Sequence, residues 1–233
     1  KTVHEEWNIP TAILAGDNLL IKCFELILST EFNNRIDLLN EFTRMSSLVC
    51  DGQQMDMNLP EMEFIEEADY LKMIELKTAV LPACALKMGA LAAGLSQKAA
   101  QAYYDFGLNI GMAFQLQDDY LDAFGLEEEI GKQEGGDIIE NKRTILYIHA
   151  LKHLDQIQKR EFLNWFEQPV HDLKMKIEKV REFFKTSGSD RYLAELKAGY
   201  ETKALACLDL MCKEDTYKNQ FLQLFDFLRA RSK

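Results

Sequence analysis

Apolar residues recur at three- and four-residue spacing along almost the whole chain, and no stretch alternates as a half-buried strand would. The first run follows Pro10 and predicts a helix from Thr11, read as its cap, to about Ser29. A second is predicted from about Asn33 to Asp56, with Ile36, Leu39, Met45, Leu48 and Val49 on one stripe. A third, from about Ala68 to Ala93, is apolar or small on nearly every side around Lys77-Thr78 and contains Pro82. Ser96 caps a fourth, from about Gln97 to Phe124, and the loop 125–136 follows it. Helices are predicted at about 141–154, 157–166, 169–186, 190–212 and 216–231, with the run Lys185 to Asp190 as a break and Ser189 or Asp190 as a cap. The pattern implies an all-α fold, a helical bundle forming a single domain over residues 1–233.

The fourth helix does not pattern as a surface helix. Ile110, Met112, Ala113, Phe114, Leu116, Tyr120, Leu121, Ala123 and Phe124 cover most of its circumference, which predicts burial. Yet it carries Asp118, Asp119 and Asp122, with Asp118 and Asp122 one turn apart and Asp119 and Gln115 beside them. Three clustered carboxylates on a sunken helix need a polar cavity or a cation to stay ionised. Oxygen ligands on a rigid element that do not complete a cage suit Mg²⁺, which keeps waters and accepts phosphate oxygens. The alternative is an acidic turn at the surface.

Lys77 forms a second anchor. Pro82 cannot donate to the carbonyl of Thr78, four residues back, and its ring presses on that carbonyl. The third helix is therefore expected to open beside Lys77, as a helix does where it faces a ligand. The competing reading is a packing kink with Lys77 snorkelling to solvent.

Composition narrows the chemistry. In this 233-residue chain the formal net charge of -11 argues against nucleic acid or an anionic membrane as the main partner. An anionic substrate would need a local reversal of sign, which a divalent cation and a few lysines supply. Cys23, Cys50, Cys84, Cys207 and Cys212 show no zinc spacing and read as reduced core residues of a cytoplasmic protein. No apolar run is long enough for a membrane span.

These residues carry a resemblance. FQLQDDYLD at 114–122 resembles the second aspartate-rich motif of the trans-isoprenyl diphosphate synthases, the farnesyl and geranylgeranyl diphosphate synthase family. GKQEGGDIIENK at 131–142 resembles the segment that follows it there, Lys77-Thr78 the pair in the family's kinked helix, and Gly52-Gln53 with Asp56 its Gly-Gln-x-x-Asp. The opening 20 residues look like the segment just after the first aspartate-rich motif, which is absent together with its arginine pair. The expectation is a chain lacking the N-terminal part of such a protein.

The resemblance implies a helical bundle around a central cavity, the isoprenoid synthase fold. It implies a prenyltransferase that condenses an allylic diphosphate with isopentenyl diphosphate, with Mg²⁺ as cofactor, usually a homodimer. Carried onto this sequence, Asp118, Asp119 and Asp122 become metal ligands, direct or through water. Lys77, Lys132 and Lys142 contact the departing diphosphate. Thr78 and Gln115 stand beside the cationic carbon, Phe114 offers it an aromatic face, and the loop 125–136 closes over the site. Plainer roles stand beside these: Lys142 pairing with a glutamate, Gln53 and Asp56 satisfying a helix end, His4 in an ordinary polar contact, and the tail Arg229–Lys233 favouring the last helix's dipole. A different function, a catalytically silent synthase-like subunit that binds diphosphates or regulates a partner, fits the absent first motif but not the intact carboxylate cluster.

Overall fold

The structure is a computed structural model and describes residues 1–125, 134–167, 172–211 and 215–229. All regular structure among these residues is helical. In chain order the helices are α1 (Val3–Glu6), α2 (Ile9–Ser29), α3 (Arg35–Asn58), α4 (Glu67–Ile74), α5 (Val80–Ala92), α6 (Gln97–Phe124), α7 (Gly136–Ile139), α8 (Ile145–His153), α9 (Gln156–Glu167), α10 (Leu173–Thr186), α11 (Ser189–Met211) and α12 (Asp215–Arg229). A 3₁₀ turn, Leu59–Glu61, follows α3, and a π turn, Glu75–Ala79, joins α4 to α5.

Local chemistry sets most of these boundaries. The Ser96 side chain accepts the backbone N–H of Ala99 and opens α6 where the sequence predicts. At α2 the cap is Asn8, whose side chain accepts from Thr11 N at 2.8 Å, and Pro10 sits in the first turn. That moves the start ahead of the expected Thr11. The predicted helix 141–154 is α8, which begins four residues later at Ile145, and the single turn α7 ahead of it is not among the predicted helices. Asn141 adopts φ 57° between them, a left-handed conformation that ends the first segment. The break at 185–190 is made by Gly188 at φ 73°, so α11 begins at Ser189 rather than behind it.

α6 is the axis of the bundle, packed most extensively against α11 on one side and α5 on the other. Around its C-terminal half lies the main core: Met112, Leu116 and Ala123 with Ile145, Leu146 and Ile148 of α8, Phe162 and Phe166 of α9, and Val180 and Phe184 of α10. Each fully buried side chain of this size contributes about 1.5–3 kcal/mol relative to exposure. Phe106 and Ile110, nearer its start, pack with Ala204, Leu208 and Met211 of α11 and Phe225 of α12.

Two glycines let helices touch without side chains between them. A Cβ at Gly52 of α3 would lie 2.3 Å from the Lys77 backbone N, and one at Gly111 of α6 would lie 2.6 Å from Ala79 Cα. The π turn is thus held between bare backbone on both sides. It widens the helix by one residue just ahead of Pro82, close to where the sequence predicts an opening, and Val80 N–H bonds back to Glu75 O across it.

Other expectations need correction. Ile36 is 60% exposed and does not belong to the stripe of α3, whose buried positions are Leu38, Met45 and Gly52. Of the described cysteines only Cys84 is buried; Cys23 and Cys50 are exposed and Cys207 is partly so. α2 buries Ile27 alone, although nearly every face is apolar. Among the described residues, no helix is long and apolar enough to cross a membrane.

Candidate active site

A cleft of about 340 Å³ opens where α3, α4, the π turn, α6 and the α7–α8 connection converge. Asp56, Tyr70, Lys77, Thr78, Gln115, Asp118, Asp119, Asp137, Lys142, Arg143 and Thr144 bring the polar groups, over a floor of Leu59, Met73 and Ile74. Sequence-predicted residues from three distant stretches therefore meet in one cavity: Lys77 and Thr78, then Gln115 with Asp118 and Asp119, then Lys142.

The three carboxylates of α6 differ sharply in setting. Asp118 faces the cleft and is partly exposed. Asp119 is 4% exposed and has both oxygens engaged: Oδ2 accepts the Tyr70 hydroxyl at 2.6 Å and Oδ1 accepts Gln115 Nε2 at 3.1 Å. Burial pushes its carboxyl up to about 7 against the lowering effect of those two hydrogen bonds. Burial, then the Asp119 charge, also raises the Tyr70 phenol well above its ordinary value. Asp122 turns away from the cleft lining toward the backbone. Its Oδ1 accepts the Asp137 N–H at 2.7 Å and its carbonyl accepts the Gly135 N–H at 3.0 Å. Asp122 thereby pins the turn that begins α7, and its carboxyl is raised chiefly by burial.

The lysines arrive paired. Lys77 Nζ donates to Asp56 Oδ2 at 2.5 Å, so Asp56 serves the cleft rather than the end of α3. Lys142 Nζ lies 2.7 Å from Asp137 and 3.1 Å from Glu140. Burial acts to lower the Lys142 ammonium, but the two carboxylates outweigh it and its pKa is raised. Thr78 donates its hydroxyl to Gln115 Oε1 at 2.9 Å. Arg143 Nη1 donates to Met62 O at 2.6 Å and its Nη2 lies 3.6 Å from Glu167.

Some expected residues fall elsewhere. Phe114 does not line this cleft; it borders a separate groove with Ile110, Gln117, Lys197 and Phe225. That follows from helix geometry, since Phe114 precedes Gln115 by one position and so points about a quarter turn away. Lys132, most of the loop 125–136 and Ala230 to Lys233 of the tail lie outside the described residues. Gln53 is exposed, and among the described residues His4 makes polar contacts with Thr2 and Glu5. Among the described residues, no three carboxylate, His or Cys side chains converge closely enough to hold a metal by themselves.

Sequence reasoning missed Tyr70, Arg143 and Thr144 as members of the site, and marked Asp137 only as part of the segment 131–142, without a role. Tyr70 had a signal: it lies seven residues, two turns, ahead of Lys77, and a tyrosine on an apolar face needs a partner for its hydroxyl. The Asp122–Asp137 contact had none, because it depends on a turn of the chain fifteen residues on.

A family model described as polyprenyl synthetase matches residues 1–184. A geranylfarnesyl diphosphate synthase of Natronomonas pharaonis is 41% identical over 150 residues, 64% of this chain and 44% of that relative. A geranylgeranyl diphosphate synthase of Methanosarcina mazei is 33% identical over 98% of this chain and 69% of its own length. A crystal structure of a geranylgeranyl pyrophosphate synthase superposes with a TM-score of 0.92 at 36% identity, covering 100% of this chain and 72% of that one. Another, from Pyrococcus horikoshii, gives 0.88 at 30% identity over 97% of this chain and 68% of that one. The chain thus spans from under half to about seven-tenths of the relatives it matches. It belongs to the polyprenyl synthetase family.

Proposed function

We propose that this chain, read as one domain, carries the diphosphate-releasing half of a short-chain prenyl diphosphate synthase. It would join an allylic diphosphate to isopentenyl diphosphate. The observation behind this is the convergence, in one cleft, of Asp118 with Lys77 and Lys142 and of Thr78 with Gln115. The relatives named geranylgeranyl and geranylfarnesyl diphosphate synthases support a short-chain product. They favour those products over the farnesyl specificity that the wider family also includes.

The chemical difficulty is charge. As the allylic C–O bond breaks, the diphosphate gains negative charge and the carbon becomes cationic, so preorganised dipoles and charges do most of the work. Lys77 and Lys142 can exchange their carboxylate partners for diphosphate oxygens. The Thr78 hydroxyl and the Gln115 carbonyl place neutral oxygens in the same cleft, a setting that favours an adjacent carbocation. The isopentenyl double bond then attacks that carbon and a proton leaves. The apolar floor of Leu59, Met73 and Ile74 limits water, which would quench the cation.

The oxygen-only donor set fits Mg²⁺, with Asp118 as the residue we assign to hold it. When bound, the ion would supply Lewis-acid stabilisation of the leaving diphosphate. Asp119 and Asp122 fit less well as direct ligands, because both carboxylates already serve protein donors.

Calorimetry with Mg²⁺ and inorganic diphosphate, singly and together, tests the reading. Tight binding is expected only with both present, and Asp118→Ala is expected to abolish it. Binding unchanged by that substitution would remove the assignment.

Homodimerisation in the cytoplasm completes the reading. Ile13, Leu14, Leu19, Ile21 and Leu26 of α2 are each more than half exposed, an apolar surface that a second copy would cover. Sedimentation of the chain should show a dimer, and Ile21→Lys a monomer. A monomeric parent chain would reject this part.

A further inference from the structure

The Asp119 carboxylate sits at the centre of a chain of hydrogen bonds that crosses three segments. The Tyr70 hydroxyl, from α4, donates to Oδ2 at 2.6 Å. Gln115 Nε2, one helical turn before Asp119 on α6, donates to Oδ1 at 3.1 Å. The other end of the same amide, Oε1, accepts the Thr78 hydroxyl from the π turn at 2.9 Å. All four side chains line the cleft, and Asp119 is the most deeply buried carboxylate there.

The order of donors is forced by chemistry. A primary amide has a donating end and an accepting end, and both oxygens of Asp119 accept here, one from Tyr70 and one from the amide. Placed beside Gln115, Asp119 draws the NH₂ end toward itself and turns the carbonyl toward Thr78. The Thr78 hydroxyl then gives its only proton to that carbonyl and keeps its lone pairs for the cleft. Tyr70, whose phenol also has one proton to give, spends it on the second oxygen of Asp119 and holds the carboxylate in place. Remove the carboxylate and nothing in this set distinguishes the two ends of the amide.

We propose that Asp119 is a positioning residue and not a metal ligand: together with Tyr70 it fixes the orientation of Gln115 and Thr78, so that both present oxygen toward the allylic carbon as diphosphate departs. What is being positioned rests on the prenyl-transfer reading of the cleft; the hydrogen-bond chain itself does not. Asp118 and Asp119, neighbours in sequence, thus have separate tasks, one facing the diphosphate and one facing the protein.

Near-isosteric variants separate the two roles. Asp119→Asn keeps an oxygen that can accept from Gln115, so Mg²⁺-dependent binding of inorganic diphosphate should stay within about threefold of the parent chain. Asp118→Asn should weaken it by about a hundredfold or more. In ¹⁵N–¹H spectra the Gln115 side-chain amide pair, assigned by its loss in Gln115→Leu, should show two distinct, slowly exchanging protons in the parent and in Asp119→Asn. In Asp119→Ala the pair should move to solvent-like positions and exchange quickly, and Tyr70→Phe should shift it while keeping it protected. In turnover, Tyr70→Phe should lower kcat about tenfold and leave KM for both diphosphates unchanged. Loss of Mg²⁺-diphosphate coupling in Asp119→Asn equal to that in Asp118→Asn would overturn the proposal, as would an amide signal unmoved by Asp119→Ala and Tyr70→Phe. If the parent chain binds no diphosphate with Mg²⁺, the functional reading falls, and the amide signals still decide the positioning.

Discussion

Asp56 is the residue whose role most changes how the site works before substrate arrives. It neutralises Lys77 at 2.5 Å, just as Asp137 and Glu140 neutralise Lys142. A chain with a net charge of -11 has carboxylates to spare, and each cleft lysine is stored against one. Diphosphate must compete with that partner. Asp56→Asn should therefore tighten binding of inorganic diphosphate measured without Mg²⁺ by about three- to tenfold, because a partly exposed pair of this kind is worth about 1 kcal/mol. Weaker binding in the titration would show that Asp56 positions Lys77 rather than restrains it. At this scale the sequence displayed the charged types but not their partners. Lys77, Asp118 and Lys142 stand out as polar groups on apolar or glycine-rich stretches. Tyr70 and Asp119 find each other across 49 residues, and no local pattern encodes that contact.

At the scale of elements, the π turn between α4 and α5 decides where Lys77 and Thr78 point. The proline signal located an opening in this helix. The glycine on α3 that lets another backbone reach it is visible in the sequence only as part of a motif. Adding a methyl at Gly52 would place it 2.3 Å from the Lys77 amide nitrogen, and nothing flexible is there to move. Gly52→Ala should cost about 1–3 kcal/mol in urea unfolding and also weaken diphosphate binding, whereas Gly16→Ala on α2, with open space around it, should cost neither. Helix existence was legible almost throughout, and α6 almost to the residue, because a serine cap followed by a long apolar period leaves little choice. The helix expected from about Asn141 begins only at Ile145, and the turn at 136–139 ahead of it went unpredicted. Ile138 and Ile139 extend the apolar period, and no proline marks the stop that Asn141 provides through its left-handed backbone.

For the molecule as a whole, an ion cluster ties α3 to α5 outside the cleft. Lys87 Nζ meets Glu41 at 2.5 Å with side chains 7% and 12% exposed, and Arg44 bonds the other Glu41 oxygen at 3.0 Å. Burial acts to raise the Glu41 carboxyl, but the bonds from Lys87 and Arg44 outweigh it and hold it below its ordinary 4.5. A depressed carboxyl stabilises the fold above its unfolded value and loses that contribution as pH falls through its folded one. Melting temperature should therefore drop between about pH 5 and pH 3 more steeply in the parent chain than in Glu41→Gln. Equal slopes would assign acid sensitivity to other groups. The all-helical architecture followed from periodicity. The bareness of α2 did not, since apolar residues on every face look the same in sequence whether a helix is covered by its own chain or by another.

The contacts at Gly52 and Gly111 carry one more implication. The segment bearing Lys77 and Thr78 rests on main chain from α3 on one side and from α6 on the other. Peptide backbone has the same dimensions in every protein, so the spacing between these three rods owes little to the size of any interior side chain. Sequences descended from a common ancestor could then exchange leucine for phenylalanine or methionine throughout the interior and drift far apart. The ammonium, hydroxyl, amide and carboxylates would stay in mutual reach as long as those two positions have no side chain.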